Sequence, residues 1–115
     1  IPDTDRIEVR LADGAANPYL LQAVLIGAGL WGVVNKTFPG KRMDMDMYSE
    51  GHKIKSTLKL PLNMLDALNK FQQNKIIRNI LGAEFSDSYY KLKMDEWNQY
   101  MQHFSEWERL NAIDV

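Results

Sequence analysis

Six residues near the start of the chain alternate between charged and apolar side chains. The charged set is Arg6, Glu8 and Arg10, and the apolar set is Ile7, Val9 and Leu11. Because successive side chains of a β-strand point to opposite faces, the alternation predicts a strand over residues 6–11. Its apolar face can be buried in a sheet, whereas its charged face must meet water or a binding site.

Signals for a turn and a helix follow this strand directly. Asp13 and Gly14 form a typical turn pair. Asn17 is a good N-cap, and Pro18 suits the first position of a helix. A helix that is apolar nearly all round is therefore predicted from Pro18 to Asn35. Such a helix is normally covered on several sides, and a short chain offers little to cover it.

The charged face of the predicted strand allows two interpretations. A carboxylate between two guanidinium groups can ligate a hard divalent cation while the guanidiniums bind phosphate or carboxylate oxygens. On that interpretation Arg6, Glu8 and Arg10 form a site for a metal and a polyanion. Alternatively, the same three side chains are a solvated strand face with two weak ion pairs.

The order of these motifs resembles that in a known protein family. The matching segments are Arg-Ile-Glu-Val-Arg at 6–10, Asp13, Ala-Ala-Asn-Pro-Tyr-Leu at 15–20, Ala-Gly-Leu at 28–30, Gly32, Asn35-Lys36 and Pro39-Gly40, with weaker matches at Trp97, Tyr100, Trp107 and Glu108. Together they resemble the C-terminal part of glutamine synthetase catalytic domains. The similarity is strong over roughly the first third of the chain and looser beyond it. The whole chain, 1–115, is then one C-terminal piece of that α+β domain.

The resemblance implies a function and three site residues. Members of the family are ATP-dependent ligases that activate glutamate as γ-glutamyl phosphate, from which ammonia displaces phosphate. Mg²⁺ or Mn²⁺ ions lie between the subunits of a large homo-oligomeric ring. By this resemblance Glu8 is a metal ligand, Arg10 binds the glutamate substrate and Arg6 lies near the nucleotide. We expect an enzyme of nitrogen metabolism.

Two alternatives to a glutamate–ammonia ligase stay open. The loop 42–48 and the Glu-Trp-Asn and Glu-Trp-Glu triplets look more like glutamate–amine ligases of the same superfamily, such as makers of γ-glutamylmethylamide. The second alternative is a non-catalytic helical module that binds a partner protein through its last helix. The family's other metal ligands, its substrate loop and its remaining phosphate-binding arginines are missing from this chain. We therefore expect the isolated chain to be inactive, with no catalytic residue of its own.

The composition of the chain limits the kinds of binding partner and the cellular compartment that we expect. A net charge of −1 gives no reason to expect a nucleic-acid or membrane partner, and no apolar run is long enough to span a membrane. The absence of Cys rules out disulfides and is compatible with the cytoplasmic location that we expect. Because the first residue is Ile, we expect the tail of a longer polypeptide or a processed or recombinant fragment.

The rest of the chain is predicted to be helical apart from a long loop over 37–59. Asn63 and Asp66 resemble a capping box, which predicts a helix from Met64 to about Gln72. A short helix over 75–81 should stop at Gly82. Aromatic and apolar residues recur at helical spacing over 83–112, which predicts one long amphipathic helix. The fold class is therefore mainly α with one N-terminal strand.

Two further motifs suggest binding sites, but each has a simpler explanation. Gly27, Gly29 and Gly32 fit a dinucleotide-binding pattern, yet they fall inside an apolar helix and not between a strand and a helix. Close packing of helices explains them better. The acidic residues Asp44, Asp46 and Glu50 begin like a calcium loop but do not continue it, so we interpret them as a solvated loop.

Overall fold

The computed structural model describes residues 8–41, 44–54 and 59–112, and these residues are mainly helical. The helices are α1 (Pro18–Val34), α2 (Met47–Glu50), α3 (Met64–Gln73), α4 (Lys75–Leu81), α5 (Ala83–Met101) and α6 (Glu106–Ala112), and a 3₁₀ turn at Gly51–Lys53 continues α2. Helix α1 packs against α4, while α3 and α4 pack against α5. The mainly α fold class is therefore confirmed for the described residues.

Helix α1 begins and ends as its capping residues predict. The Asn17 side-chain oxygen accepts hydrogen bonds from the amides of Tyr19, at 3.0 Å, and Leu20, at 3.2 Å. These amides have no partner within the helix, so the cap stabilises the first turn. At the other end, the Asn35 side chain donates to the Trp31 carbonyl at 2.8 Å. The helix is 17 residues long and stops one residue before Asn35.

The predicted N-terminal strand is only partly covered by the described residues. Arg6 and Ile7 lie outside them, and residues 8–11 belong to no strand. A strand is defined by hydrogen bonds to a neighbouring strand, and the described residues offer none to pair with. The segment 8–11 is therefore irregular in this chain.

The two short helices in the middle of the chain follow the prediction closely. The Asn63 side chain accepts from the Asp66 amide at 2.8 Å, as expected for the N-cap of α3. The Asn74 side chain accepts from the Ile77 amide at 3.1 Å and begins α4. Gly82 ends α4 with a φ of 86°, a conformation that glycine adopts without strain.

The prediction of one helix over 83–112 is wrong, because residues 102–105 separate α5 from α6. The Ser105 hydroxyl accepts from the Glu108 amide at 3.2 Å. In return the Glu108 carboxylate accepts from the Ser105 amide at 2.8 Å and from its hydroxyl at 2.7 Å. This reciprocal capping box starts a new helix, which aromatic periodicity did not reveal.

The loop predicted over 37–59 also contains a short helix. Asp46 accepts from the Tyr48 amide at 3.0 Å and from the Ser49 hydroxyl at 2.7 Å, and thereby caps α2. Helix α2 is only four residues long, which is too short for a hydrophobic period to predict it.

Two contacts organise the small core. Gly27 of α1 lies so close to Ile80 of α4 that a Cβ atom at position 27 would overlap the Ile80 side chain. Ser86 is completely buried and donates to the Arg78 carbonyl at 3.2 Å. Leu68 is the one buried hydrophobic side chain among the described residues, so this core is very small.

The chain is far more open than a complete domain of its mass. It exposes 10,942 Å² of surface, whereas a compact monomer of 13.3 kDa would expose about 6,500 Å². Its radius of gyration is 18.6 Å, against about 13 Å expected for a compact chain of this length. The helices therefore leave much apolar surface uncovered.

Two glycine substitutions in α1 test its packing against α4. Gly27→Ala should destabilise the chain by about 1–3 kcal/mol, because the new methyl group overlaps Ile80. Gly29→Ala is the matched control, since its new methyl group would meet no atom within 4 Å apart from its chain neighbours and the backbone of its own helix. It should stabilise α1 by up to about 1 kcal/mol through helix propensity. Urea unfolding followed by circular dichroism measures both, and a shift of the same sign in both variants would contradict this packing.

The capping box at α6 should make that helix sensitive to acid. Hydrogen bonds from the Ser105 hydroxyl and amide hold the pKa of the Glu108 carboxyl below its usual range. A lowered pKa means that the stabilisation is complete above the ordinary glutamate pKa and is lost as pH falls through the lowered value. Helical chemical shifts over 106–112 should therefore fade at acid pH. Glu108→Gln keeps a capping partner that does not titrate, so an equal fading in that variant would refute the assignment.

Candidate functional site

Glu8 and Arg10 lie side by side at the surface, ahead of α1. The Arg10 Nε donates to a Glu8 carboxylate oxygen at 2.5 Å. Both side chains are exposed, Arg10 by 85% and Glu8 by 69%. An ion pair this exposed contributes only about 0–1 kcal/mol, so a metal or an anionic ligand could replace either partner at little cost. In the chain by itself, the pair matches the solvated alternative. Arg6 lies outside the described residues.

A short turn with its own hydrogen bonds joins this pair to α1. The Asp13 carboxylate accepts from the Ala15 amide at 2.8 Å, and the Asp13 carbonyl accepts from the Ala16 amide at 3.1 Å. Asn17 follows directly and caps the helix. The charged segment is thus connected to the N-terminus of α1 by a turn that its own residues stabilise.

Glu8 can supply one ligand to a divalent cation. Its carboxylate oxygen is the donor type that Mg²⁺ and Mn²⁺ prefer. No group of three or more His, Cys, Asp or Glu residues within 8–41, 44–54 and 59–112 could hold a metal ion. The described residues therefore supply one donor and do not complete a coordination shell.

The acidic residues around α2 have structural partners. Asp46 caps α2, and the Ser49 hydroxyl and the Tyr48 amide together lower the pKa of its carboxyl. Glu50 accepts from the Lys53 ammonium at 2.8 Å. These contacts account for two of the three acidic side chains in the predicted solvated loop.

The glycine motif lies entirely within α1, and a phosphate cannot approach amides that already bond within a helix. The packing interpretation is confirmed at Gly27, which meets Ile80. An added Cβ at Gly29 or Gly32 would meet no atom within 4 Å apart from the chain neighbours and the backbone of α1, so these glycines do not contribute to that contact.

An apolar groove beside the start of α1 was not predicted from the sequence. Its volume is about 240 Å³. Ala16, Asn17, Leu20, Leu21, Val24, Phe71, Ile77, Leu81 and Tyr89 line it. Only the spacing of Leu20 and Val24 within α1 could have indicated such a groove, because its other walls come from three later helices.

The aromatic residues at the end of the chain lie at the surface and not in a core. Tyr100, Phe104 and Trp107 are each about two thirds exposed. The break between α5 and α6 places Trp107 on a different helix from Tyr100. Across the described residues, every helix is too short or too polar to cross a membrane.

Comparison with known proteins identifies the family. The profile of "Glutamine synthetase, catalytic domain" matches residues 1–112. A glutamine synthetase of Rhizobium meliloti is 51% identical over 115 residues, which are all of this chain and 26% of that protein. A glutamine synthetase of Archaeoglobus fulgidus is 32% identical, over 99% of this chain and 24% of its own length. A glutamate–methylamine ligase of Methyloversatilis universalis is 38% identical, over 90% of this chain and 24% of its own length.

The chain thus spans about a quarter of the length of the curated relatives that it matches. The profile match extends beyond the charged segment and α1 to the last residue of α6. The resemblance of the first third therefore continues through the later helices, and the chain belongs to the glutamine synthetase catalytic-domain family.

Proposed function

We propose that this chain is the C-terminal part of an ATP-dependent glutamate–ammonia ligase that forms glutamine through γ-glutamyl phosphate. The observation that carries the proposal is the position of Glu8 and Arg10, adjacent and exposed immediately before the capped α1. Membership of the family over residues 1–112 supports it. The whole enzyme, in this proposal, is a cytoplasmic homo-oligomeric ring.

In the longer polypeptide, residues 6–11 form the predicted strand. The backbone of 8–11 pairs with no strand of the described residues and can join a sheet that supplies a neighbouring strand. Pairing would hold Glu8 and Arg10 on one face, because residues two apart on a strand point the same way. Their contact in the isolated chain already brings the two side chains to the same side.

Each charged side chain has a separate task in this proposal. Glu8 is one ligand of Mg²⁺ or Mn²⁺, the guanidinium fork of Arg10 holds a carboxylate of glutamate, and Arg6 binds the nucleotide. The bound cation would offset negative charge as phosphate is transferred. Because the Glu8–Arg10 pair is weak and exposed, both side chains can leave it for their ligands.

The isolated chain should not catalyse the reaction. Its described residues bring together no three potential metal ligands, and the side chains of Glu8 and Arg10 are exposed to water. Catalysis of phosphoryl transfer depends on fixed positions and on exclusion of water. The remaining groups of the site belong, in this proposal, to the longer polypeptide and to a neighbouring subunit.

A glutamate–amine ligase is the second candidate. The 38% identity to a glutamate–methylamine ligase over 90% of this chain favours it. The two candidates differ only in the acceptor, so an assay that offers ammonia and methylamine in turn separates them. A hybrid enzyme suits the assay: the Rhizobium meliloti glutamine synthetase with its matching region replaced by this chain, which is 51% identical to it.

A non-catalytic binding module is the third candidate, and the exposed Tyr100, Phe104 and Trp107 are the observation in its favour. The mass of the native gene product separates it from a ligase. A product several times heavier than 13.3 kDa supports a ligase, whereas a product of about that mass supports the module.

Removing the Glu8 carboxylate should abolish metal-dependent turnover. In the hybrid enzyme, Glu8→Gln should lower phosphate release from ATP by about a hundredfold or more, because the cation loses a charged ligand. Glu84→Gln, at an exposed position in the first turn of α5, is the matched control. Turnover is measured over a Mn²⁺ titration, and full activity of Glu8→Gln would exclude Glu8 as a ligand.

Replacing Arg10 should weaken glutamate binding selectively. Arg10→Lys keeps the charge but loses the two-pronged donor, so KM for glutamate should rise by roughly tenfold or more. The KM for ATP should stay nearly unchanged, because the nucleotide contact is assigned to Arg6. Steady-state kinetics with each substrate varied in turn provide the measurement. An equal rise in the KM values for glutamate and ATP would mean that Arg10 supports the folding of the site and does not bind glutamate selectively.

A further inference from the structure

Asp13 and Gly14 form the one Asp-Gly pair in the sequence, which also has no Asn-Gly pair. The carboxyl group of an aspartate can react with the backbone nitrogen of the next residue, because the two groups close a small imide ring. A side chain on that next residue hinders the approach, whereas glycine has no side chain and an adjustable backbone. The sequence therefore contains one position at which this intramolecular reaction is sterically open.

The structure leaves the pair accessible in the turn before α1. Asp13 and Gly14 are both exposed, and a Cβ added at Gly14 would meet no atom within 4 Å apart from its chain neighbours. Within the described residues, the Gly14 amide donates no hydrogen bond. The Gly14 nitrogen is therefore not held in a helix or a sheet and can act as the nucleophile.

The hydrogen bonds of the turn keep the Asp13 carboxylate near this nitrogen. The carboxylate accepts from the Ala15 amide at 2.8 Å, so it lies across the Gly14 residue. The Asp13 carbonyl accepts from the Ala16 amide at 3.1 Å and closes the turn. Both bonds hold the reacting groups in one tight turn, and such proximity favours a reaction between them.

Asp46 offers a comparison within the same chain. Its carboxylate also accepts from the amide two residues further on, that of Tyr48, at 3.0 Å, and it is exposed like Asp13. The residue after it is Met47, the first residue of α2, which carries a side chain. Asp13 and Asp46 thus share exposure and this hydrogen bond, and they differ in the residue that follows.

We propose that Asp13-Gly14 is a site of spontaneous covalent modification, at which the aspartate converts to isoaspartate through a succinimide. The Gly14 nitrogen attacks the Cγ atom of Asp13 and forms a C–N bond. The proton of that nitrogen and a carboxyl oxygen leave as water. A water molecule then opens the ring: attack at Cγ restores aspartate, and attack at the main-chain carbonyl gives isoaspartate. The two steps consume no oxidant or reductant.

The modification changes the turn that joins the charged segment to α1. In isoaspartate the main chain runs through Cβ and Cγ, so it gains one carbon atom, and the former main-chain carbonyl becomes a free carboxylate. The acceptors for the Ala15 and Ala16 amides thereby exchange places, and the turn cannot keep its present geometry. Glu8 and Arg10 precede this turn and are displaced relative to α1. That consequence rests on the proposed function for the roles of Glu8 and Arg10.

Heavy-oxygen water detects the succinimide directly, because each opening of the ring leaves one heavy oxygen atom on residue 13. The 115-residue chain and the hybrid with the Rhizobium meliloti enzyme are incubated in this water at neutral pH. They are then digested with trypsin in ordinary water, which places Asp13 in the peptide 11–36 and Asp46 in the peptide 43–53. Mass spectrometry measures the heavy oxygen in each peptide. Isoaspartate appears as a second chromatographic form of the peptide 11–36 with an unchanged composition.

The peptide 11–36 should gain heavy oxygen about fivefold or more faster than the peptide 43–53, because Gly14 leaves the nitrogen open to attack. Gly14→Ala is the matched variant, since its methyl group has room in the turn, and its uptake should fall severalfold. Equal uptake in the two peptides, or in Gly14→Ala and the unaltered chain, would overturn the proposal. Uptake by the urea-unfolded chain but not by the folded one would also overturn it, because the fold would then prevent the reaction.

Ligase activity of the hybrid separates this proposal from the proposed function. Turnover should fall as isoaspartate accumulates, and the Gly14→Ala hybrid should keep its turnover for longer. A hybrid that takes up heavy oxygen but never shows turnover would keep the modification site and remove the proposed function. An active hybrid whose turnover is unchanged when most of residue 13 is isoaspartate would keep the function and overturn the effect on the position of Glu8 and Arg10.

Discussion

The close approach of α1 to α4 holds the described part of the chain together. Gly27 permits it, because any side chain at that position would meet Ile80. Through α4 and its neighbours, α1 is connected to α3 and α5, where Phe71 and Tyr89 stack edge to face at 5.8 Å. The hydrogen-bonded turn that precedes α1 is joined directly to the N-terminus of this helix. The position of the charged segment therefore depends on a contact made by a residue with no side chain.

Local signals predicted the helices well where a capping residue decided the boundary. Asn17, Asn63 and Gly82 each end or begin a helix as expected, because a cap acts within one turn and needs no distant partner. Periodicity was less reliable over 83–112, where Ser105 and Glu108 break a pattern that aromatic spacing makes look continuous. The apolar groove beside α1 was beyond prediction, since its walls come from four helices.

The candidate site shows a different limit of prediction from the sequence. Glu8 and Arg10 contact each other, but on an irregular segment and not on the strand face that the alternation predicted. Strand formation over 6–11 and the roles of Arg6, Glu8 and Arg10 remain predictions, because the described residues contain neither a strand to pair with nor a complete metal site. The order of the motifs, and not any single motif, indicated the family from the sequence. Residues 1–112 match that family. The charged row by itself was also compatible with a solvated surface.

The single residue that joins α4 to α5 restricts how the chain can vary in length. An extra residue at Gly82 would displace α5 from α4 by up to about 3.5 Å, since that is the length one residue adds to an extended chain. Asp87 would then leave Arg78, to which it is bonded at 2.6 Å, and the buried Ser86 would lose its acceptor. An insertion or deletion is therefore easier to accommodate elsewhere, in an exposed segment outside the helices such as 37–41.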